Sequence, residues 1–353
     1  MVTPLKQLSL QHFRTHSQLS LAFKNQITVI SGPNASGKTS ILEAINLLAT
    51  GESFRAKKIA EMISFGSDLA RVRGRVSENE GETLDLEIML THGVIQGKRT
   101  PHRLFRVNEV ARQKRIATHR FFTTAFRPED LRLIEGSPSR RRGFLDTVLS
   151  SVHPDYERSL RVYDQTLRRR NKLLEQVRAG EQSANVLSYW DVNMLKHGIV
   201  LQKARTDFAA ACAGVAFPKQ FTIEYLPSII SEERQDEYRA KAIAVGHSLI
   251  GPHKDDFAIH LQTQINQFEL SAYGSRGQQR LAVLWLKLCE HAYVQENSDS
   301  EQILLLDDIW SELDDESQAI IEPLFRKQQT IVTTTNEELA EKLTAAHVTL
   351  GVE

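Results

Sequence analysis

The chain has 353 residues, 41% of them hydrophobic and 25% charged, with 44 Lys and Arg balanced by 44 Asp and Glu. These ordinary values exclude a disordered or fibrous protein, and the length suits two or three domains. Zero net charge does not exclude nucleic acid as a partner, because the basic residues from Lys98 to Arg142 face only Glu109, Glu129, Asp130 and Glu135, with compensating acids gathered near the C-terminus.

Taken in chain order, Leu5 to Leu10 and Leu19 to Phe23 read as short strands joined by a polar turn at His12 to His16, and Ile27 to Ile30 as a buried strand. A glycine loop follows, then a helix from Ser40 to Ala49 with Ile41, Leu42, Ile45 and Leu48 at helical spacing. Alternation at Val72, Val76, Leu84, Leu86 and Ile88 predicts an antiparallel sheet extension. From Tyr156 the period becomes helical: one stripe runs through Tyr156, Leu160, Tyr163, Leu167, Leu174 and Val177, interrupted by Arg170. A second runs from Leu187 to Ala211, and the turn at Gly180 to Ala184 makes the pair a short antiparallel hairpin. Strands return at Phe221 to Leu226 and Phe257 to Leu261. The close is helix (Ser275 to Val294), strand (Ile303 to Leu306), helix (Ser317 to Phe325) and strand (Thr330 to Thr334), an α/β pattern. No apolar run approaches the roughly 20 residues of a membrane span. No secretory signal is read at the N-terminus, so a cytoplasmic protein is expected, and Cys212 and Cys289 read as buried thiols.

The chemistry concentrates in three places. Gly32-Pro33-Asn34-Ala35-Ser36-Gly37-Lys38-Thr39 has two glycines four apart followed by Lys and Thr, between a strand and a helix. In such a loop backbone amides face an anion, the Lys reaches β and γ phosphates, and the Thr hydroxyl meets Mg²⁺. Ile303 to Leu306 ends in Asp307 and Asp308, acids carried to the mouth of a sheet; Asp307 is the expected Mg²⁺ ligand and Asp308 the candidate to polarise attacking water. Tyr273-Gly274-Ser275-Arg276-Gly277-Gln278-Gln279-Arg280 opens a helix, where Ser275 is an N-cap or an anion contact.

With these three motifs in place, the chain resembles the ABC-type ATPase heads of the SMC and Rad50 superfamily. That resemblance implies that the signature Ser275, Gly277 and Gln278 caps ATP held by the Gly32, Asn34, Gly37, Lys38, Thr39 and Ser40 loop of a second copy, with Ser311-Glu312-Leu313-Asp314 at the interface. Phe126-Arg127-Pro128-Glu129-Asp130-Leu131, Gly251-Pro252-His253-Lys254-Asp255-Asp256 and Ser53-Phe54-Arg55 narrow the resemblance to the RecF family. It implies an ABC-type head with mixed sheets plus a smaller helical lobe: residues 1–145 as the N-terminal head with Walker A, 146–245 as the lobe, and 246–353 with the signature, Walker B and D-loop. It further implies an ATP-dependent homodimer on double-stranded or gapped DNA, with ATP and Mg²⁺ as cofactors and slow, DNA-stimulated hydrolysis. RecR and RecO are the implied partners, and RecA loading, replication and the SOS response the setting.

This sequence departs from the loop pattern at Ala35, where Gly is frequent and the change costs little if φ stays negative; Asp308, a shorter arm than the Glu of most ABC heads, is what the RecF resemblance implies there. The γ-phosphate sensor has only Thr333, Thr334, Thr335 and Asn336 as candidates. A DNA-facing surface is expected between Lys98 and Lys172, where Arg140-Arg141-Arg142 and Arg168-Arg169-Arg170 are either phosphate grips or helix faces. Arg141 and Arg142 have a further reading as ion-pair partners of Glu129 and Asp130. His253, Asp255 and Asp256 read as a structural turn or a metal site, and His12 and His16 as surface or interface residues. The alternatives from other classes are a P-loop small-molecule transferase and a RecF-like ATPase with a different role.

Overall fold

Strand periodicity organises the first hundred residues. β1 (Leu5–Phe13) buries Leu5, Leu8, Leu10 and Phe13, and a bulge between Leu5 and Gln7 brings the three-residue step from Leu5 to Leu8 back into phase. β2 (His16–Ala22) pairs with it, then come β3 (Ile27–Ser31) and helix α1 (Lys38–Thr50). β4 (Leu69–Ser77) buries Ala70, Val72, Gly74 and Val76 and turns Arg71, Arg73 and Arg75 to the other face. After β5 (Thr83–Thr91), a ribbon of β6 (Val94–Ile95) and β7 (Lys98–Arg99) leads to β8 (Arg103–Val107) and β9 (Val110–Arg112). The antiparallel sheet runs β2-β1-β4-β5-β8-β9. A Cβ on Gly74 would stand 2.6 Å from Leu48 Cδ1, so this glycine lets α1 lie close on the sheet. A short helix α2 (Lys114–Ala117) and β10 (Phe122–Phe126) follow.

The computed structural model of the chain describes residues 4–23, 26–77, 82–298, 301–310, 313, 318–320, 322–323, 327–343 and 346–351. Packing divides it into two compact units, Met1–Pro128 with Asp299–Glu353, and Glu129–Ser298.

In the second unit, α3 (Arg132–Glu135) and α4 (Pro138–Val152) precede the helical hairpin of α5 (Pro154–Arg178) and α6 (Ser188–Cys212). The buried side of α5 is Tyr156, Ser159, Tyr163, Thr166, Arg170 and Leu174. The expected stripe is therefore half right: Leu160, Leu167 and Val177 are only partly covered, and Arg170 does not interrupt the core side but belongs to it. Its guanidinium donates to Asp191 Oδ1 at 2.6 Å and Ser248 Oγ at 2.8 Å. β11 (Gln220–Leu226), β12 (Asp256–Gln262) and β13 (Gln267–Glu269) form a small sheet against α4 and α6, α7 (Glu232–Val245) packs on α5 through Ala242 and Leu174, and α8 (Leu270–Tyr273) leads to α9 (Arg276–Glu296).

The chain then returns to the first unit with β14 (Gln302–Asp307), β15 (Gln329–Thr334) and β16 (Ala346–Thr349). These join two earlier strands in an all-parallel sheet, β10-β14-β15-β3-β16, with β14 and β15 wholly buried. Residues of α1 share one core with Leu8 and Val72 of the antiparallel sheet and Ile303 and Ile331 of the parallel sheet, so the helix is the filling between two sheets. Of the helix expected over Ser317 to Phe325, residues 318–320 and 322–323 are described and are helical, and the other four positions lie outside the described residues.

Candidate nucleotide site

β3 and β14 are not neighbours; β15 lies between them, and all three point the same way. Register places Ser31 opposite Thr334 and Asp307 opposite Thr333, so the glycine loop and the acids leave the same carboxyl edge of the sheet. There Thr39 Oγ1 donates to Asp307 Oδ1 at 2.8 Å across 268 residues of sequence, and Thr333 Oγ1 donates to the same oxygen at 2.9 Å. A hydroxyl beside a carboxylate is the hard-oxygen donor set that Mg²⁺ takes.

Lys38 is 7% exposed. Its ammonium donates to Gly32 O at 2.7 Å and Pro33 O at 2.8 Å, curling under the loop, and among the described residues no carboxylate forms a salt bridge with it. A buried cation without a counter-ion is costly unless an anion joins it. Ser36 Oγ, also buried, has no hydrogen-bond partner among the described residues. Ser36, Ser40 and Ile41 amides bond carbonyls of the loop itself, while the amides of Lys38 and Thr39, the first of α1, stand at a helix N-terminus where an anion is favoured. The loop therefore fits a polyanion.

Gly37 has φ of 90°, and a Cβ there would meet the His16 ring at 2.5 Å. His16 is buried, and its Nε2–H donates to Gly37 O at 3.1 Å; the surface expectation for this histidine is corrected, because β2 begins directly against the loop. Ala35 has φ of 68°. The negative φ that would have made alanine harmless is absent, and a left-handed alanine costs about 1–2 kcal/mol. Asp308 is also left-handed, φ 52°, with its amide donating to Thr333 Oγ1 at 3.0 Å. Strain of this kind persists where surrounding bonds hold it, and it recurs at functional sites. Of the four sensor candidates, Thr333 is fully buried and engaged with Asp307 and Asp308, while Asn336 Oδ1 accepts from Glu338 N. Sequence reasoning missed His347, which β16 brings to Ser31 Oγ at 2.7 Å; its distance of 316 residues leaves no local signal.

The family boxes prove to be struts. Ser53 Oγ bonds Glu43 and accepts from Arg55 N and Ala56 N, while Arg14 forms a bidentate pair with the same fully buried Glu43 of α1. Arg127 stacks 4.5 Å over Phe54 and donates to its carbonyl. In the second unit Asp255, with no exposure at all, accepts from Arg205, Tyr225, Ser228 N and Gln202. Asp256 pairs bidentately with Arg141, and Arg142 donates to Asp255 O. The ion-pair reading of Arg141 was thus right in kind but named the wrong carboxylates, and the Gly251 to Asp256 box is a structural hub. Burial pushes the His253 imidazole down to about 4, and its ring is held by Tyr163 Oη at 2.8 Å and Ser248 O at 3.2 Å.

The signature also lies in the second unit. Ser275 caps α9 in a full capping box: its Oγ accepts from Gln278 N at 3.3 Å and Gln278 Oε1 accepts from Ser275 N at 2.9 Å. Ser275, Arg276 and Gly277 are exposed, a Cβ on Gly277 would meet nothing, and Arg276 pairs with Glu135. Of the expected interface loop, Ser311, Glu312 and Asp314 lie outside the described residues.

A profile of the RecF/RecN/SMC N terminal domain matches residues 4–352. DNA replication and repair protein RecF of Ruminiclostridium cellulolyticum is 31% identical over 97% of this chain and 95% of its own length, and that of an Exiguobacterium strain is 33% identical over 94% and 92%. The chain belongs to the RecF family. A solved structure described as the recombination mediator protein RecF with ATPrS, in the RecFOR pathway, superposes with a TM-score of 0.82 at 28% identity, covering 95% of this chain and 94% of that one. An SMC head domain from Pyrococcus furiosus, 15% identical with a TM-score of 0.53 over 100% of this chain and 94% of that one, shares the fold, so the ABC-type head expected from sequence is the fold this RecF-family chain has. Among the described residues no helix is long and apolar enough to cross a membrane.

Proposed function

We propose that this RecF-family chain is an ATP-dependent DNA-binding clamp of recombinational repair, which dimerises when it binds ATP and hydrolyses it slowly to let go. The observation that carries the reading is the convergence of the Lys38 ammonium, the Thr39 hydroxyl and the Asp307 carboxylate at one sheet edge. The loop residues Gly32, Asn34, Gly37, Lys38, Thr39 and Ser40 hold the triphosphate, with Lys38 exchanging its two carbonyl partners for phosphate oxygens. Thr39 and Asp307 hold Mg²⁺, which when bound neutralises phosphate charge. Asp308 polarises the attacking water from a carboxylate one methylene shorter than Glu, in keeping with slow turnover. Ser275, Gly277 and Gln278 cap the nucleotide of a second copy; Ser275 and Gly277 are exposed and so available to it.

A protein of this kind acts in the cytoplasm on double-stranded or gapped DNA, with RecR and RecO as partners and RecA loading as the outcome. Family membership favours it over a P-loop transferase, which has no use for the signature turn. Sedimentation of native and Ser275→Arg protein with Mg²⁺ and ATP, with and without duplex DNA, tests the reading. A native-only dimer strengthened by DNA is expected; a monomer under all conditions, or a dimer indifferent to Ser275→Arg, rejects the capped clamp.

A further inference from the structure

The two arginine triplets do not survive folding as units. Arg141, Arg142 and Arg170 are engaged in internal pairs and carbonyl contacts. What remains is a different set on α5: Arg158, Arg161, Arg168, Arg169 and Lys172 are all exposed. At 100° per residue these five cations fall within about 100° of arc, opposite the buried Tyr156, Tyr163 and Arg170 side. Asp155, Glu157, Asp164 and Glu175 lie to the sides of that arc. Arg158 has one partner, Asp155 at 3.2 Å, both well exposed. Among the described residues no carboxylate reaches salt-bridge distance of Arg161, Arg168, Arg169 or Lys172.

A solvated helix usually pairs opposite charges at i and i+4; on α5 Glu157–Arg161 and Asp164–Arg168 have that spacing but neither closes to an ion pair, while Arg168 and Lys172, four apart, repel. The neighbouring α7 shows the ordinary arrangement, with Arg239 pairing with Asp236 and Asp191. The ridge from Arg158 to Lys172 spans about 21 Å of helix, a length over which duplex DNA carries about 12 phosphate charges. We propose that this face of α5 is a backbone-binding ridge for duplex DNA, reading charge and not sequence. This rests on the DNA-binding reading above and assigns it a surface: Arg161, Arg168 and Lys172 lie within about 40° of one another on one side of the arc and contact phosphates, with Arg158 and Arg169 on the other side, nearer Asp155.

The test is duplex binding by fluorescence anisotropy over a salt series, with Mg²⁺ and ATP, comparing native protein with Arg161→Gln/Arg168→Gln/Lys172→Gln. A second triple variant, Lys196→Gln/Lys203→Gln/Lys241→Gln, removes the same charge from exposed positions on α6 and α7. The ridge variant is expected to bind roughly 10- to 100-fold more weakly near 0.1 M salt, and to lose about 2–3 from the slope of log K against log salt. The second variant should behave as native, and all three should unfold at the same temperature because every substituted side chain is exposed. Equal loss in both variants would mean net charge alone, and overturns the ridge. Native affinity and slope in the ridge variant overturn it too, as they would if α5 met an acidic protein, and leave the DNA reading standing. Native protein that binds duplex in no condition rejects the DNA reading and the ridge together.

Discussion

Replacing Lys38 with Met separates an anion-binding ammonium from a structural one. The native group is 7% exposed and makes two carbonyl bonds, at 2.7 and 2.8 Å. Hydrogen bonds to a charged group contribute about 1.5–3 kcal/mol each, while burying an ammonium costs several kcal/mol. These oppose each other, and Met fills much the same volume. Stability without nucleotide should therefore change by no more than about 2 kcal/mol in either direction. Nucleotide at a hundred times its Kd should stabilise the native protein by about 2.7 kcal/mol. For a unit of roughly 180 residues this raises the melting temperature by about 5–10 °C. Calorimetry with and without Mg²⁺ and ATP reads both quantities. Lys38→Met should melt near the native temperature alone and show almost no nucleotide shift. A full shift in the variant would refute the phosphate role, and a loss of 4 kcal/mol or more without nucleotide would make Lys38 a loop anchor.

Two further outcomes test the second unit. Arg170→Leu should cost about 3 kcal/mol or more, because Asp191 is left buried with Arg239 as its one remaining salt-bridge partner among the described residues, whereas Arg169→Leu should stay within about 0.5 kcal/mol; urea denaturation giving equal costs would refute the division of that triplet. His253 stays neutral in the fold down to about pH 4 but protonates near 6.5 when unfolded, so its contribution is complete above pH 6.5 and is lost as pH falls towards 4. The difference amounts to about 3 kcal/mol. The midpoint of native protein should fall more steeply over that window than that of His253→Gln, and identical pH profiles would contradict it.

Sequence alone determined the parts of this protein whose physics is local. The glycine loop needs its spacing between a strand and a helix, Ile303 to Leu306 can only be a buried strand ending in acids, and the hairpin announces itself by its period and its turn. These elements stand as read, and so does the family. What the sequence could not decide is what depends on partners far along the chain. Thr39 and Asp307 meet only because β15 and β3 pair in register. Ala35 takes a left-handed φ because the loop must close over Lys38, which no residue preference at that position discloses. Three consecutive arginines look alike in a sequence, yet helical rotation of 100° per residue sends Arg170 inward to Asp191 and leaves Arg168 and Arg169 in water. Local periodicity names the elements; burial and pairing, fixed only when the elements pack, decide which charges are structural and which remain free to meet a ligand.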